Sequence, residues 1–461
     1  MPLLAISIND VELLSGTGRE FRTHGPGIAL LDPEGLLLGE EARGQARLRP
    51  RRVVDRYWAE LSTRPLPHPT AYAATLADLA FAQLEQIWRQ RADGTDGVLL
   101  VVPGTLSRDA LGLVLGMAEE LSMPVRGLVD SAVASITESA PGADLVHVDF
   151  FQHEALLTRM EQGHDVGRGP MRQVPEAGVS RLRAAWVAAA AEAFVKQTRF
   201  DPLHDAASEQ QLYDGLNGWL RTLDEEPEVA MQVSVRGEEV SAALSREAVL
   251  REATPAWRAV LAALDELRGN GRPVALSVAF EGGRLTGLME ALTAVDRTSV
   301  TLLVPDAPLR GALDRAASIC SPDGEVRYVT RLPALAVADV ASTAPRAEAV
   351  VEEGSATHVL FDTHAYAVGE TGLIVGTRPP AGRPGIRITG QTGGISRQHC
   401  EIRREGGHLV VEDHSRYGTF LNGERVEARQ RLGLGDTLRV GSPGRELKAI
   451  ALRDPEGGHG R

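Results

Sequence analysis

Two rhythms of apolar and polar positions divide the chain. Before residue 343, stretches with apolar residues at helix spacing, such as 71–90 and 179–198, alternate with short continuous apolar runs. Those runs are VLLVVP (98–103), DLVHVDF (144–150), PVALSVAF (273–280) and SVTLLVP (299–305). A period near 3.6 predicts helices, and a continuous apolar run predicts a strand covered on both faces. Strands alternating with helices predict an α/β architecture. From residue 356 the rhythm changes. THVLF, GLIVGTR, GIRIT, HCEIRR, HLVVED, GTFLNG and DTLRVG are separated by Gly-rich turns, which predicts the short strands of an all-β sandwich. Between the two regions TAPRAEAVVEEGS (343–355) is polar, acidic and aperiodic, as a linker is. The expected organisation is a body over 1–342, a linker over 343–355, a β domain over 356–454 and a disordered tail over 455–461.

Size and charge narrow the function. At 461 residues the chain exceeds one ordinary core. The net charge of −13 argues against a nucleic-acid partner, because phosphate contacts need a basic surface. No apolar run is long enough to span a bilayer, and the start MPLLAIS lacks a basic flank, so it reads as a first buried strand rather than a secretion signal. The two cysteines, Cys320 and Cys400, fall in different predicted domains, so no disulfide framework is expected. Together these features predict a cytoplasmic protein with no membrane insertion.

The C-terminal region carries an ordered set of motifs: Gly376-Thr377-Arg378, then SRQH (396–399), HSRYGTFLNG (414–423) and LGLGDTLRVG (432–441). In this order they resemble the forkhead-associated (FHA) domain, a reader of phosphothreonine. A phosphate dianion needs a guanidinium fork and short hydrogen-bond donors. The resemblance implies that Arg378 and Ser396 bind the phosphate oxygens while Arg397 and Arg416 flank the peptide. It gives structural roles to Gly376, His399, Gly418, Thr419 and the hairpin pair Asn422 and Gly423. There are two departures. One extra residue separates Gly376 from Arg378, and Tyr417 stands where the family has an Asn that brackets the peptide.

The body resembles the ATPase domain of DnaK-type heat-shock chaperones, in the actin and sugar-kinase superfamily. The similar stretches are LLLGEEARGQARLRP (36–50), residues 98–135, residues 234–264 and VALSVAFEGGRLTGLMEAL (274–292). The resemblance implies a duplicated, ribonuclease-H-like α/β fold. Its nucleotide chemistry is eroded. Where the family's first phosphate hairpin has Asp-x-Gly-Thr-Thr, this chain has Ser7-Ile8-Asn9-Asp10-Val11, followed by Glu12. Where the second has Asp-x-Gly-Gly-Gly, it has Asp149-Phe150-Phe151-Gln152-His153. Close backbone approach to phosphate needs glycine, and acidic side chains repel it. The family's catalytic lysine falls near Trp58. Asp10, Asp149, Gly282, Gly283 and Arg284 are the candidate remnants of a nucleotide site, and no catalytic residue is assigned.

Other constellations read as structure. His147, Asp149 and His153 could form a metal trio on one strand face, but the polar edge of a hairpin suits them better. Ser15-Gly16-Thr17-Gly18 reads as a hairpin turn, because no helix follows it. Asp413, His414 and Ser415 are consecutive and cannot converge as a triad. The reading is a non-catalytic adaptor. The FHA domain recognises a phosphothreonine-containing protein, and a pseudo-ATPase body without cofactor offers a docking surface. Two alternatives remain: an ATP–magnesium-driven switch that gates the FHA site, and a structural subunit of a bacterial secretion or pilus assembly.

Overall fold

A computed structural model describes residues 3–337 except 19, 270 and 322, and a set of segments within 356–450. Those segments are 356, 358–361, 364–369, 372–380, 383–388, 395–405, 408–415, 418–421, 424–426, 429–433, 436–440 and 445–450. The expected linker and tail lie outside the described residues. The chain divides into two compact units, Met1–Ala344 and Pro345–Arg461.

The first unit is mixed α/β and is built around two six-stranded sheets of related order. In one, Leu3–Ser7, Leu14–Gly16 and Phe21–Thr23 form an antiparallel meander. Gly97–Val102 joins the first of these in parallel, followed by Val125–Asp130 and Tyr328–Val329. In the other, Asp144–Phe150, Ala155–Gln162 and Asp165–Val174 form the meander. Val274–Val278 and Thr298–Leu302 then extend it in parallel from Asp144–Phe150. Three antiparallel strands followed by two parallel ones therefore occur twice. Parallel neighbours need a crossover, and the helix Arg108–Glu120 carries the chain from Gly97–Val102 to Val125–Asp130. All six residues of Gly97–Val102 are buried, as a strand covered on both faces must be.

Between the two sheets lies an apolar layer that includes Ala5, Val101, Leu145, Met160 and Leu309. Here helix Ala307–Asp314 meets helix Ser131–Ser135 almost backbone to backbone. A Cβ on Gly311 would fall 1.8 Å from the Ala134 carbonyl oxygen, so only glycine fits. One turn later the buried Arg315 donates to the carbonyls of Gly311, Val133, Ala134 and Ile136 at 2.6 to 3.1 Å. These bonds satisfy helix-end acceptors that burial would otherwise leave unpaired.

Most elements follow the periodicity. The helix Val179–Thr198 and the strand Asp144–Phe150 have the bounds that the pattern gives. The helix expected from residue 71 starts later, at Leu76, because Thr75 and Asp78 form a capping box. Of the stretch 15–18 expected as a turn, Ser15 and Gly16 belong to the strand Leu14–Gly16, and only Thr17 and Gly18 lie in the connection to Phe21–Thr23.

The second unit is all β. Among the described residues its two sheets contain six and five strands. Alternate residues, such as Cys400 and Ile402, Leu409 and Val411, or Leu438 and Val440, point into one shared core. That period of two makes the sheets face each other.

Candidate functional site

In the C-terminal unit, strand Leu373–Gly376 runs antiparallel to Cys400–Glu405 and ends against the turn that precedes it. A Cβ on Gly376 would lie 2.4 Å from the Arg397 carbonyl oxygen, so the close approach requires glycine. Three backbone bonds then fix the junction. Thr377 N donates to Ser396 O at 3.1 Å, Arg378 N to Arg397 O at 2.9 Å, and His399 N to Val375 O at 2.7 Å. The extra residue after Gly376 therefore leaves Arg378 beside Arg397. Both arginines are exposed, and among the described residues neither guanidinium has an ion-pair partner.

His399 ties the neighbouring loops together from within the core. Its Nδ1 accepts from Ser396 N at 3.0 Å, so the proton sits on Nε2, which faces Gly418 O at 3.1 Å. Burial lowers its pKa, which keeps this neutral tautomer. Gly418 has φ +96° and donates to Ser415 Oγ at 2.7 Å. Asp413 Oδ1 accepts from Ser415 N at 3.0 Å and from the buried Thr419 Oγ1 at 2.7 Å. Asp413 and Ser415 thus serve a loop brace. Arg416, Tyr417, Asn422 and Gly423 lie outside the described residues; the flanking strands Thr419–Leu421 and Glu424–Arg425 pair antiparallel. The chemical result is an edge fixed by backbone bonds that bears two exposed arginines, neither ion-paired among the described residues, a setting that attracts an anion.

The cleft of the body is built the opposite way. Its two hairpin loops bond to each other. Asn9 Nδ2 donates to Asp149 Oδ1 at 3.2 Å and to Phe150 O at 3.0 Å. Gln152 N donates to Asp10 Oδ1 at 2.8 Å, and Gln152 Nε2 to Asp10 O at 3.2 Å. Both carboxyl groups are buried. Desolvation raises Asp10 to about 6, and desolvation with the nearby Glu281 charge raises Asp149 to about 8. Beside this junction, the cavity bounded by Ser7, Asn9, Asp149 and Glu281 holds only about 30 Å³, room for about one water. A ligand pocket spans roughly 300–1,000 Å³.

A larger cavity of about 290 Å³ is lined by Asp10, Trp58, Pro103, Leu106, Phe151 and His153 among others. Trp58 is locked in place, since its Nε1 donates to Gln83 Oε1 at 2.7 Å and that oxygen also accepts from Tyr57 OH. Gly282 is buried and Gly283 half-buried against the exposed Leu302. A Cβ on Gly282 would meet Val278 at 2.6 Å, and one on Gly283 would meet Leu302 at 2.5 Å. Arg284 lies over the Phe280 ring at 5.1 Å. These remnants do not converge with Asp10 and Asp149 on an open pocket.

No metal-ligating group of three side chains assembles among the described residues. His147 is buried with neither ring nitrogen at hydrogen-bonding geometry, and desolvation lowers its pKa to about 4. His153 turns away to Asp55 O at 3.0 Å.

Sequence reasoning missed two polar centres. Asp130 is buried, caps Val133 N, and accepts from Arg168 at 3.0 Å and Tyr328 OH at 3.1 Å. Its partners come from remote strands, so no local signal marks it. The other is a cavity of about 110 Å³ around the buried Gln210, whose wall holds Arg43, Arg47 and Arg183 together with Asp55 and Asp214.

Among the described residues, no helix is long and apolar enough to cross a membrane. No curated protein matches the chain. The family model for the FHA domain matches residues 375–441, the stretch that holds Arg378, Ser396, Arg397 and His399. The C-terminal unit of this chain therefore carries an FHA domain, a non-enzymatic module of protein–protein interaction.

Proposed function

We propose that the chain is a non-catalytic adaptor whose FHA domain captures a phosphothreonine segment of a partner protein. One observation carries this reading: Gly376 and the buried His399 hold the exposed Arg378 and Arg397 next to each other, and among the described residues no carboxylate pairs with either. Arg378 and Ser396 take the phosphate oxygens, and Arg397 and Arg416 flank the peptide, with Tyr417 in place of the bracketing Asn. A bidentate guanidinium with an adjacent donor matches a phosphate dianion in charge and shape.

The body, over 1–342, is a DnaK-type actin-like domain that no longer handles nucleotide and serves as a docking surface. The twofold repeat of sheet order supports the fold, since a duplicated ribonuclease-H-like core has that form. The mutual bonding of the two hairpins supports the loss of ATP binding. Phosphoryl transfer depends on positioning and charge neutralisation, and here two buried acids stand where phosphates would sit. The linker over 343–355 then joins reader to body. In this reading the protein works without a cofactor.

A phosphothreonine peptide array probed with the full chain tests the reader. Signal should depend on the phosphate and fall sharply in Arg378→Ala and Ser396→Ala. Signal indifferent to all three changes rules the reading out.

A further inference from the structure

The FHA edge carries more positive charge than one phosphate needs. Residues 356–454 hold 14 Lys and Arg against 11 Asp and Glu, in a chain whose net charge is −13. The carboxylates on the strands behind the edge are committed elsewhere. Glu401 pairs with Arg383, Glu405 with Arg429, and Glu412 with Arg403 and Arg429. Asp413 accepts from Ser415 N and Thr419 Oγ1.

Two further arginines reach this edge from elements outside the SRQH turn. Strand Gly385–Arg387 runs parallel to Leu373–Gly376, and Arg387 is the registered partner of Gly376. Ile386 before it is buried in the core, so Arg387 projects from the opposite face. Registered partners share a face. On that face the place of a Gly376 Cβ lies 2.4 Å from Arg397 O and 2.9 Å from Ser396 O. Arg387 therefore stands on the side of the turn that carries Ser396 and Arg397. Arg425 comes from the other sheet. Its Nε lies 3.0 Å, and its Cζ 3.4 Å, from where a Cβ on Gly418 would fall. The Gly418 carbonyl faces His399 Nε2, so this guanidinium rests on the loop braced against the SRQH turn. Arg387 and Arg425 are both exposed, and among the described residues neither guanidinium has an ion-pair partner. One phosphate takes a guanidinium fork and a short donor, here Arg378 with Ser396. The cations from these two further strands are left for another negative group.

We infer that the partner segment is multiply anionic: beside its phosphothreonine it carries a carboxylate or a second phosphate, which Arg387 and Arg425 select. The inference rests on the FHA reading of Arg378 and Ser396, and its test keeps the two apart. The full chain is titrated by calorimetry at one fixed ionic strength with synthetic peptides on a common alanine–glycine frame. One has a phosphothreonine with neutral flanks, one adds Asp on both sides, and one adds a second phosphothreonine. The Asp-flanked peptide without phosphate is the control. Arg387 and Arg425 are each changed to Gln and to Lys.

The Asp-flanked or the doubly phosphorylated peptide should bind at least tenfold more tightly than the neutral one, and the tighter of the two identifies the second anion. Arg387→Gln and Arg425→Gln should each remove at least threefold of that gain and leave the neutral-flank peptide within twofold. Arg387→Lys and Arg425→Lys should keep most of the gain, and an unchanged unfolding midpoint checks that every variant is folded. A neutral-flank peptide that binds as tightly as both others, or a gain that survives either Gln substitution, overturns the inference and leaves the FHA reading in place. If the Asp-flanked peptide binds equally with and without phosphate, the FHA reading falls and the inference with it.

Discussion

The FHA edge and the cleft of the body solve the same geometric problem with opposite chemistry. In each, loops from separate strands are brought within hydrogen-bond reach. At the FHA edge the backbone does the joining, through Thr377, Arg378 and His399, and the charged side chains of Arg378 and Arg397 stay open to solvent. In the cleft the side chains do the joining. Asn9, Asp10 and Gln152 use their polar atoms on the facing loop. Polar groups that are already satisfied have little left to offer a ligand, whereas exposed cations gain by meeting an anion. Loop proximity alone therefore does not make a binding site.

The sharpest way to break this contrast is at Gly376. Gly376→Val pushes a side chain into the Arg397 carbonyl, so peptide binding should fall more than 100-fold, with about 1–3 kcal/mol lost from the FHA unit. Calorimetry and denaturant unfolding would check both. Arg378→Ala should weaken phosphopeptide binding roughly 30-fold, about 2 kcal/mol for a charge-assisted contact, while the unfolding midpoint stays put because the side chain is exposed. An equal loss of affinity for phosphorylated and unphosphorylated peptide would mean that Arg378 serves the peptide rather than the phosphate.

Asn9→Ala removes two bonds across the cleft and should cost about 1–2 kcal/mol of body stability. Peptide affinity should not change, and no ATP binding should appear.

The smallest effect is one of pH, and it has opposite signs in the two units. Asp149 binds its proton more tightly in the folded body than in the unfolded chain. Body stability should therefore fall by roughly 1 kcal/mol from pH 6.5 to 8, as the carboxyl is forced to ionise. That window lies above the range in which the buried His24 and His147, both lowered to about 4, would act in the other direction. His399 has a lowered pKa in the FHA unit. Its contribution is complete above the unfolded value of 6.5 and is lost as the pH falls below that. Hydrogen exchange resolved by unit would separate the trends, and Asp149→Asn should flatten the first while leaving the second.

The sequence makes legible whatever depends on local pattern. The apolar run 144–150 and the helical spacing of 179–198 gave element bounds directly. The ordered FHA motifs gave a recognition edge because each motif sits at a strand end whose backbone must approach another. The hairpins at Asn9 and Asp149 were visible as turns without glycine. That these hairpins bond to each other was not visible, because Asn9 and Asp149 are 140 residues apart. The same holds for the arginines around Gln210 and for Asp130 with Tyr328. Partners drawn from remote elements leave no periodic trace.

The most direct test of the contrast is a pair of calorimetric titrations on one full-length sample. The ligands are a phosphothreonine peptide selected from the array, with its unphosphorylated counterpart, and ATP–magnesium. Saturable heat from the phosphorylated peptide alone is the predicted outcome. Tight ATP–magnesium binding, or equal binding of both peptides, would contradict the assignment of an open FHA edge and a closed cleft.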